Sequence, residues 1–259
     1  MSFLFASFYL FTPLEDLENI KQTLQDYCEQ TPTKGTILLA SEGINANIAG
    51  NETDIYKIIE ILETQFLNQK LTVKYTPVDK IPFTRFKIKI KAEIITFKVD
   101  NSNPNEHPVG TYVKPEDWNN LISQPDVKLV DTRNEYEVEI GTFKGAKNPH
   151  IDSFTEFNDY IEEKLNPEQD EKVAVFCTGG IRCEKVTALM LSKGFKEVYH
   201  LEGGILKYLQ DVPEEESLWE GECFVFDKRV AVKHKLEEGS YTLCYETGDP
   251  IPKDEEQSK

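Results

Sequence analysis

The chain opens on an apolar run, Phe3-Leu4-Phe5-Ala6-Ser7-Phe8-Tyr9-Leu10-Phe11, which reads as a buried β-strand. Thr12-Pro13-Leu14-Glu15 then has the spacing of a capping box with proline at the first helical position. Leu14, Leu17, Ile20 and Leu24 give the helix predicted there one apolar side. Gly35–Ala40 and Ile44–Ala49 read as two short strands joined by Ser41-Glu42-Gly43. Ile55, Ile58, Ile59, Leu62 and Phe66 recur at helical spacing, and Leu71–Thr76 returns to strand. The resulting order β-α-β-β-α-β is that of a ferredoxin-like split βαβ unit. A further extended segment, Phe83–Phe97, alternates with period two. It places Arg85, Lys87, Lys89 and Lys91 on one face and Phe86, Ile88 and Ile90 on the other.

Beyond a polar, Pro-rich stretch at Asp100–Pro108 the pattern changes. Pro115-Glu116-Asp117-Trp118 opens a helix, Val127–Asp131 is a strand, and Ser153 caps a helix carrying Phe154, Phe157, Ile161 and Leu165. Val173–Phe176 is a short, wholly apolar strand, followed by a helix with Val186, Leu189 and Met190 that stops at Gly194. Val198–Leu201 is another strand, and Gly203-Gly204 leads into Ile205–Leu209. Strands alternating with helices predict a parallel α/β sheet. Cys223–Val232 reads as one more strand pair or an arm, and the last ten residues are expected to lack structure. The predicted layout is therefore mixed α/β and α+β. A ferredoxin-like domain over 1–98 and a linker over 99–111 precede a parallel α/β domain over 112–213, and a C-terminal arm with an acidic tail covers 214–259.

Charge changes this picture in one respect. The 259 residues carry a net charge of −17, but residues 1–98 hold 11 basic and 12 acidic side chains while 99–259 hold 18 and 34. Such a chain repels nucleic acid in bulk, so a polyanionic partner must meet a local basic patch, and the first third is the better host. Arg85, Lys87, Lys89 and Lys91 form one such candidate; Lys228 and Arg229, with Lys233 and Lys235, form a weaker one. Both can equally be solvated strand faces. No apolar run reaches the roughly 18 residues that span a bilayer, and the N-terminal apolar run has no Lys or Arg before Lys21, unlike a signal peptide. Five sparse cysteines (Cys28, Cys177, Cys183, Cys223, Cys244) then read as reduced thiols of a cytoplasmic protein.

The segment that carries chemistry is Cys177-Thr178-Gly179-Gly180-Ile181-Arg182-Cys183-Glu184-Lys185. A cysteine at the carboxyl end of a buried parallel strand faces the crevice where open α/β sheets bind ligands. The two glycines let the backbone curl so that its N–H groups form an anion nest, closed by the N-terminus of the next helix. With Arg182 and Lys185 adding positive charge, Cys177 is expected to ionise below the free-thiol value of about 8.5. The C-x4-R spacing is one residue shorter than the C-x5-R cradle of Cys-dependent phosphatases, and suits a sulfur-sized adduct such as a persulfide. Cys183 is either a resolving thiol for an oxidised or persulfidated Cys177 or a small residue packed beneath the loop. The four histidines (His107, His150, His200, His234) have no H-x-D/E spacing, there is no GxGxxG, and no metal or redox cofactor is evident.

These segments resemble rhodanese domains. Leu129-Val130-Asp131-Thr132-Arg133-Asn134-Glu135-Tyr136-Glu137, followed by Gly141–Pro149, is similar to their first signature. Cys177–Cys183 is similar to their active-site loop, and Leu201-Glu202-Gly203-Gly204-Ile205 to their closing motif. In that resemblance Asp131 and Arg133 are a supporting pair that braces the sheet end. Glu42-Gly43-Ile44-Asn45-Ala46, Phe83–Thr96 and Phe224-Val225-Phe226-Asp227-Lys228-Arg229-Val230-Ala231-Val232 extend the resemblance to the bacterial oxygen-dependent tRNA uridine hydroxylases over nearly the whole chain. It implies 5-hydroxyuridine formation at the wobble position, with Cys177 catalytic, the tRNA anticodon stem-loop as partner and molecular oxygen as co-substrate. It implies neither DNA nor membrane as partner. Members of that family commonly continue with Cys-x-x-Cys pairs; here Cys244-Tyr245-Glu246-Thr247 has one cysteine, so a zinc tail is not expected. The two rival readings are a persulfide-carrying sulfurtransferase and a binding module with a non-catalytic rhodanese domain.

Overall fold

The computed structural model describes residues 3–256 and divides into two compact units, Met1–Thr96 and Phe97–Lys259. The first contains β1 (Phe3–Phe11), α1 (Leu17–Cys28), β2 (Lys34–Ala40), β3 (Gly43–Gly50), α2 (Glu52–Ile61), β4 (Lys74–Val78) and β5 (Phe86–Ile90). Its five-stranded sheet has the order β4-β1-β3-β2-β5, with β5 parallel to β2 and the other pairs antiparallel. This is the split βαβ arrangement with one added edge strand. Alternation along the strands sends Leu4, Ala6, Phe8, Ile37, Leu39, Ile44, Ala46 and Ile48 to one face. There they meet the apolar stripes of α1 (Ile20, Leu24) and α2 (Ile55, Ile58, Ile59).

Three boundaries differ from the sequence reading. The first helix begins at Leu17, not in the Thr12 capping box, because the Thr12 and Leu14 amides are taken by the carbonyls of Glu42 and Ser41 at 2.9 and 3.0 Å. The fourth strand is shifted to Lys74–Val78 by its pairing with β1. The segment Phe83–Phe97 is strand only over Phe86–Ile90. Beyond it Ile94 is buried, with its amide 2.7 Å from the Glu42 carboxylate, and Asn45 donates to its carbonyl.

The second unit contains β6 (Thr111–Val113), α3 (Pro115–Ile122), β7 (Val127–Asp131), α4 (Glu135–Val138), β8 (Gly141–Phe143), α5 (Phe157–Lys164), β9 (Lys172–Phe176), α6 (Ile181–Ser192), β10 (Glu197–Leu201) and α7 (Gly204–Asp211). Then come β11 (Trp219–Gly221), β12 (Cys223–Phe224), β13 (Ala231–Val232), β14 (Tyr241–Leu243), β15 (Pro250–Pro252) and the short α8 (Lys253–Glu256). A four-stranded sheet of order β6-β10-β9-β7 is parallel throughout. Covered on both faces, β9 buries Val173, Ala174, Val175 and Phe176 completely, which explains its unbroken apolar sequence.

Two of the expected divisions do not survive. The stretch expected to be a linker, 99–111, belongs to the second unit, where Ser102 is buried and the Gly110 carbonyl lies 3.1 Å from His200 Nε2; Phe97, expected at the end of the first domain, also belongs there, fully buried and stacked on Phe154 at 4.5 Å. The expected arm is part of the same core, and of the two readings of Cys223–Val232 the strand pair is the one that forms, as β12 with β13. β11 pairs antiparallel with β8, and Trp219 packs edge-on against Phe143 at 5.1 Å. Phe143 in turn contacts Phe176 and Tyr208, at 4.9 and 4.7 Å. Near the end, β15 pairs with β14 and Lys253–Glu256 is helical; residues 257–259 lie outside the described residues. Among the described residues no helix is long and apolar enough to cross a membrane.

Candidate active site

Cys177 follows the last residue of β9, directly past the register pair Asp131↔Phe176 that joins β9 to β7. Thr178 to Gly180 then turn the chain into α6. Gly180, the residue capping that helix, has φ 104°, a conformation that costs glycine little and an L side chain a great deal. The turn brings the Gly180 amide to 3.1 Å from Cys177 Sγ, and the amides of Arg182 and Cys183 also donate to the sulfur.

The loop can direct its N–H groups inward because its carbonyls are held from outside. The first amides of α7 take them: Ile205 N donates to Cys177 O at 3.0 Å and Leu206 N to Thr178 O at 3.1 Å. Gly204 makes that approach possible. At φ 67°, a Cβ there would sit 2.5 Å from Cys177 O and 2.7 Å from Thr178 O. The Gly-Gly-Ile motif thus acts by seating one helix N-terminus against the back of the loop.

Cys177 is only 2% exposed, and burial alone would push its thiol up. The opposing interactions win: a hydrogen bond from the Cys183 thiol, the Arg182 charge and the Cys183 and Arg182 amides bring it down to about 6. Cys183 shifts the other way, well above the ordinary thiol range, through burial and the neighbouring thiolate. The pair is therefore one thiolate and one thiol donor, with Thr132 Oγ1 3.9 Å from Cys183 Sγ on its far side. Cys223, also buried, is pushed up to about 12.

Arg182, 7% exposed, is committed to a partner that the sequence reading did not single out. Its Nη1 lies 2.7 Å from Glu137 Oε2, and Glu137 is fully buried. The same carboxylate oxygen accepts the Asn134 amide at 3.1 Å, the return half of a capping box on α4. The Asn-x-x-Glu spacing was the readable signal for Glu137. Thr178 Oγ1 is 3.5 Å from the other Glu137 oxygen. Ile181 is half-buried at the start of α6, whereas Lys185 is 1% exposed, inside the helix packing, and the cation acting on the sulfur is Arg182.

Asp131 and Arg133 are both fully buried and joined at 2.6 and 2.9 Å. The guanidinium also donates to the carbonyls of Gly141 (2.6 Å) and Glu137 (3.2 Å) and lies 5.2 Å from the Trp219 ring centroid. The pair ties β7, α4, β8 and β11 together. Asp227 and Arg229 repeat the same fork, at 2.6 and 2.9 Å, so Arg229 is an ion-pair partner and not an open cation. With Lys233 3.3 Å from Glu222, the second basic patch reduces to Lys228 and Lys235, both exposed.

The first patch is differently built. Arg85, Lys89 and Lys91 are exposed on and beside β5, Lys87 is half-buried among them, and the Arg85 charge, with Lys89, pushes its ammonium down. Cross-strand register continues this face as Lys87↔Thr36↔Asn47↔Ser7↔Lys74, a polar rung across all five strands with a lysine at each end. Among the described residues no three His, Cys, Asp or Glu side chains converge where they could hold a metal ion.

Comparison with known proteins gives consistent matches. Residues 3–94 match the family described as UPF0176 acylphosphatase like domain, and residues 114–211 match the Rhodanese-like domain. A tRNA uridine(34) hydroxylase from Picosynechococcus sp. is 53% identical over 256 residues, covering 99% of this chain and 86% of that protein. One of the same name from Teredinibacter turnerae is also 53% identical, covering 99% of this chain and 79% of that protein. Among solved structures, the rhodanese-like domain of an Anabaena protein superposes with a TM-score of 0.35 at 19% identity, covering 42% of this chain and 78% of that one.

Proposed function

The chain belongs to the tRNA uridine(34) hydroxylase family, and from that premise we propose that it converts the wobble uridine of tRNA to 5-hydroxyuridine, with the Cys177 thiolate as nucleophile. The observation that carries the reading is a cysteine held near pKa 6 in a ring of amides, in a chain that matches enzymes of that name over 99% of its own length. A wobble uridine lies in a single-stranded loop and leaves its stack at small cost. At 2% exposure the sulfur is shielded from water, so in this reading the reacting base enters the loop to meet it.

The thiolate adds to C6 of the uracil, and the displaced electron pair makes C5 nucleophilic, with the charge on the O4 enolate. C5 then takes an oxygen atom from a peroxide-level oxidant, formed when a two-electron donor reduces molecular oxygen, and the peroxide O–O bond breaks. Loss of the C5 proton expels Cys177 from C6 and restores the double bond. The ring gains a hydroxyl, and the oxidant accepts two electrons. Loop amides and the Arg182 charge support the anion on whichever atom carries it. The row Arg85, Lys87, Lys89 and Lys91 supports a reading in which the first unit tracks phosphates of the anticodon stem-loop.

The deciding experiment is nucleoside mass spectrometry of tRNA from a strain lacking the gene, complemented with the wild-type chain or with Cys177→Ser. We expect 5-hydroxyuridine to vanish, to return with the wild type and not to return with the variant. Loss of a thiolated uridine instead would favour sulfur transfer, and an unchanged nucleoside profile would favour a binding module.

A further inference from the structure

Two aromatic rings approach the Arg182 guanidinium. Its guanidinium carbon lies 5.8 Å from the ring centroid of Phe154 and 5.9 Å from that of Phe226. Phe154 in turn stacks on Phe97 at 4.5 Å with an interplanar angle of 17°. The column Phe97, Phe154, Arg182, Phe226 therefore starts in the core and ends on a ring that is 61% exposed.

That ring is not a loose surface side chain. It projects from the tight turn between β12 and β13, which is closed by hydrogen bonds from Val225 N to Val230 O (2.8 Å) and Val230 N to Asp227 O (3.0 Å). The Asp227–Arg229 fork stiffens the same turn. Phe224, 7% exposed, supports Phe226 edge-on at 5.1 Å and 80°. Leaving so large a ring in water forgoes the gain of burying it, and the turn is rigid where an idle ring would need no fixing. The cation at its inner side is the one that stabilises the Cys177 thiolate.

We propose that Phe226 is the stacking platform for the uracil that reacts at Cys177, the planar group that a splayed-out base meets next to the thiolate loop. The proposal rests on the hydroxylase reading and deepens it. Every base has a π-face, so the ring supplies affinity and orientation and does not read base identity. Phe226 is thus a positioning residue, distinct from the nucleophile.

Two measurements on the full chain test this. In steady-state turnover of unmodified tRNA, Phe226→Ala and Phe226→Leu should raise KM about 10-fold or more, while Phe226→Tyr, which keeps the ring, stays near wild type. In both weakened variants the pH midpoint of Cys177 alkylation should remain near 6, a value that collapse of the Arg182 site would move. Separately, Phe226→Trp provides a fluorescent ring for titration with an anticodon stem-loop carrying either uridine or an abasic residue at position 34. Quenching by the uridine RNA that is absent with the abasic RNA supports the platform. Equal quenching by both RNAs, or a KM unchanged by Phe226→Leu, overturns it. If the wild-type chain forms no 5-hydroxyuridine, the hydroxylase reading fails, and the titration still decides the fate of the ring.

Discussion

Removing the Cys183 thiol should move the ionisation of Cys177, and the size of the move follows from the geometry. With the thiol at about 6 rather than 9.0, about nine-tenths of Cys177 is thiolate at pH 7, against about one-hundredth for an ordinary thiol. A hydrogen bond to a charged group contributes about 1.5–3 kcal/mol, and one pH unit corresponds to about 1.4 kcal/mol. Cys183→Ala should therefore raise the midpoint by about one to two pH units, to roughly 7–8. Cys183→Ser, which keeps a donor at the position, should stay close to the wild type. The assay is the rate of iodoacetamide alkylation from pH 4 to pH 10, read at the Cys177 peptide by mass spectrometry. Cys28 and Cys223 are pushed up to about 12 and Cys183 higher still than an ordinary thiol, so they do not compete in the acid range. The sign is fixed by the chemistry: the reactive form is the base, so reactivity is present above pH 6 and falls as the pH drops through it. A wild-type midpoint at or above 8.5, or an alanine variant with an unshifted midpoint, would refute the account.

Three further outcomes are expected. Gly204→Ala drives a Cβ into two loop carbonyls at a left-handed backbone position, so it should lower stability by about 1–3 kcal/mol in urea denaturation and raise the alkylation midpoint of Cys177. Arg133→Met leaves a buried Asp131 carboxylate without its partner, and should cost about 3–5 kcal/mol in the same assay. Replacing Arg85, Lys87 and Lys89 together with alanine should weaken tRNA binding and lower the slope of log affinity against log salt by about 2, measured by filter binding at several salt concentrations.

Much of the site is local in sequence, and that part could be read. A strand apolar from Val173 to Phe176, a cysteine at its end, two glycines and a following arginine point to the curled loop locally, while the α7 amides that hold its carbonyls come from residues 205 and 206. Period-two patterns located four strands of the first sheet to within about three residues, whereas the fifth was read seven residues too far, to Phe97 and not Ile90. The distant contributions could not be seen in the same way. Glu137 stands 45 residues before Arg182, and only its capping-box spacing hinted at a fixed carboxylate. The first helix starts late because carbonyls at 41 and 42 compete for amides at 12 and 14, a tertiary effect that outweighs a sound local signal. The pairing of Arg229, which the sequence reading placed in a basic patch, was missed although Asp227-Lys228-Arg229 repeats the pattern of Asp131-Thr132-Arg133.

Trp219 covers a buried arginine and seals the aromatic cluster around Phe143, although it lies eight residues past the matched rhodanese-like segment, which ends at 211. A fragment cut at that point would carry every loop residue yet open its own interior to water, with Arg133 stripped of its lid. The tail is in this sense a missing wall of the catalytic half, and grafting or excising that half would have to carry the wall along.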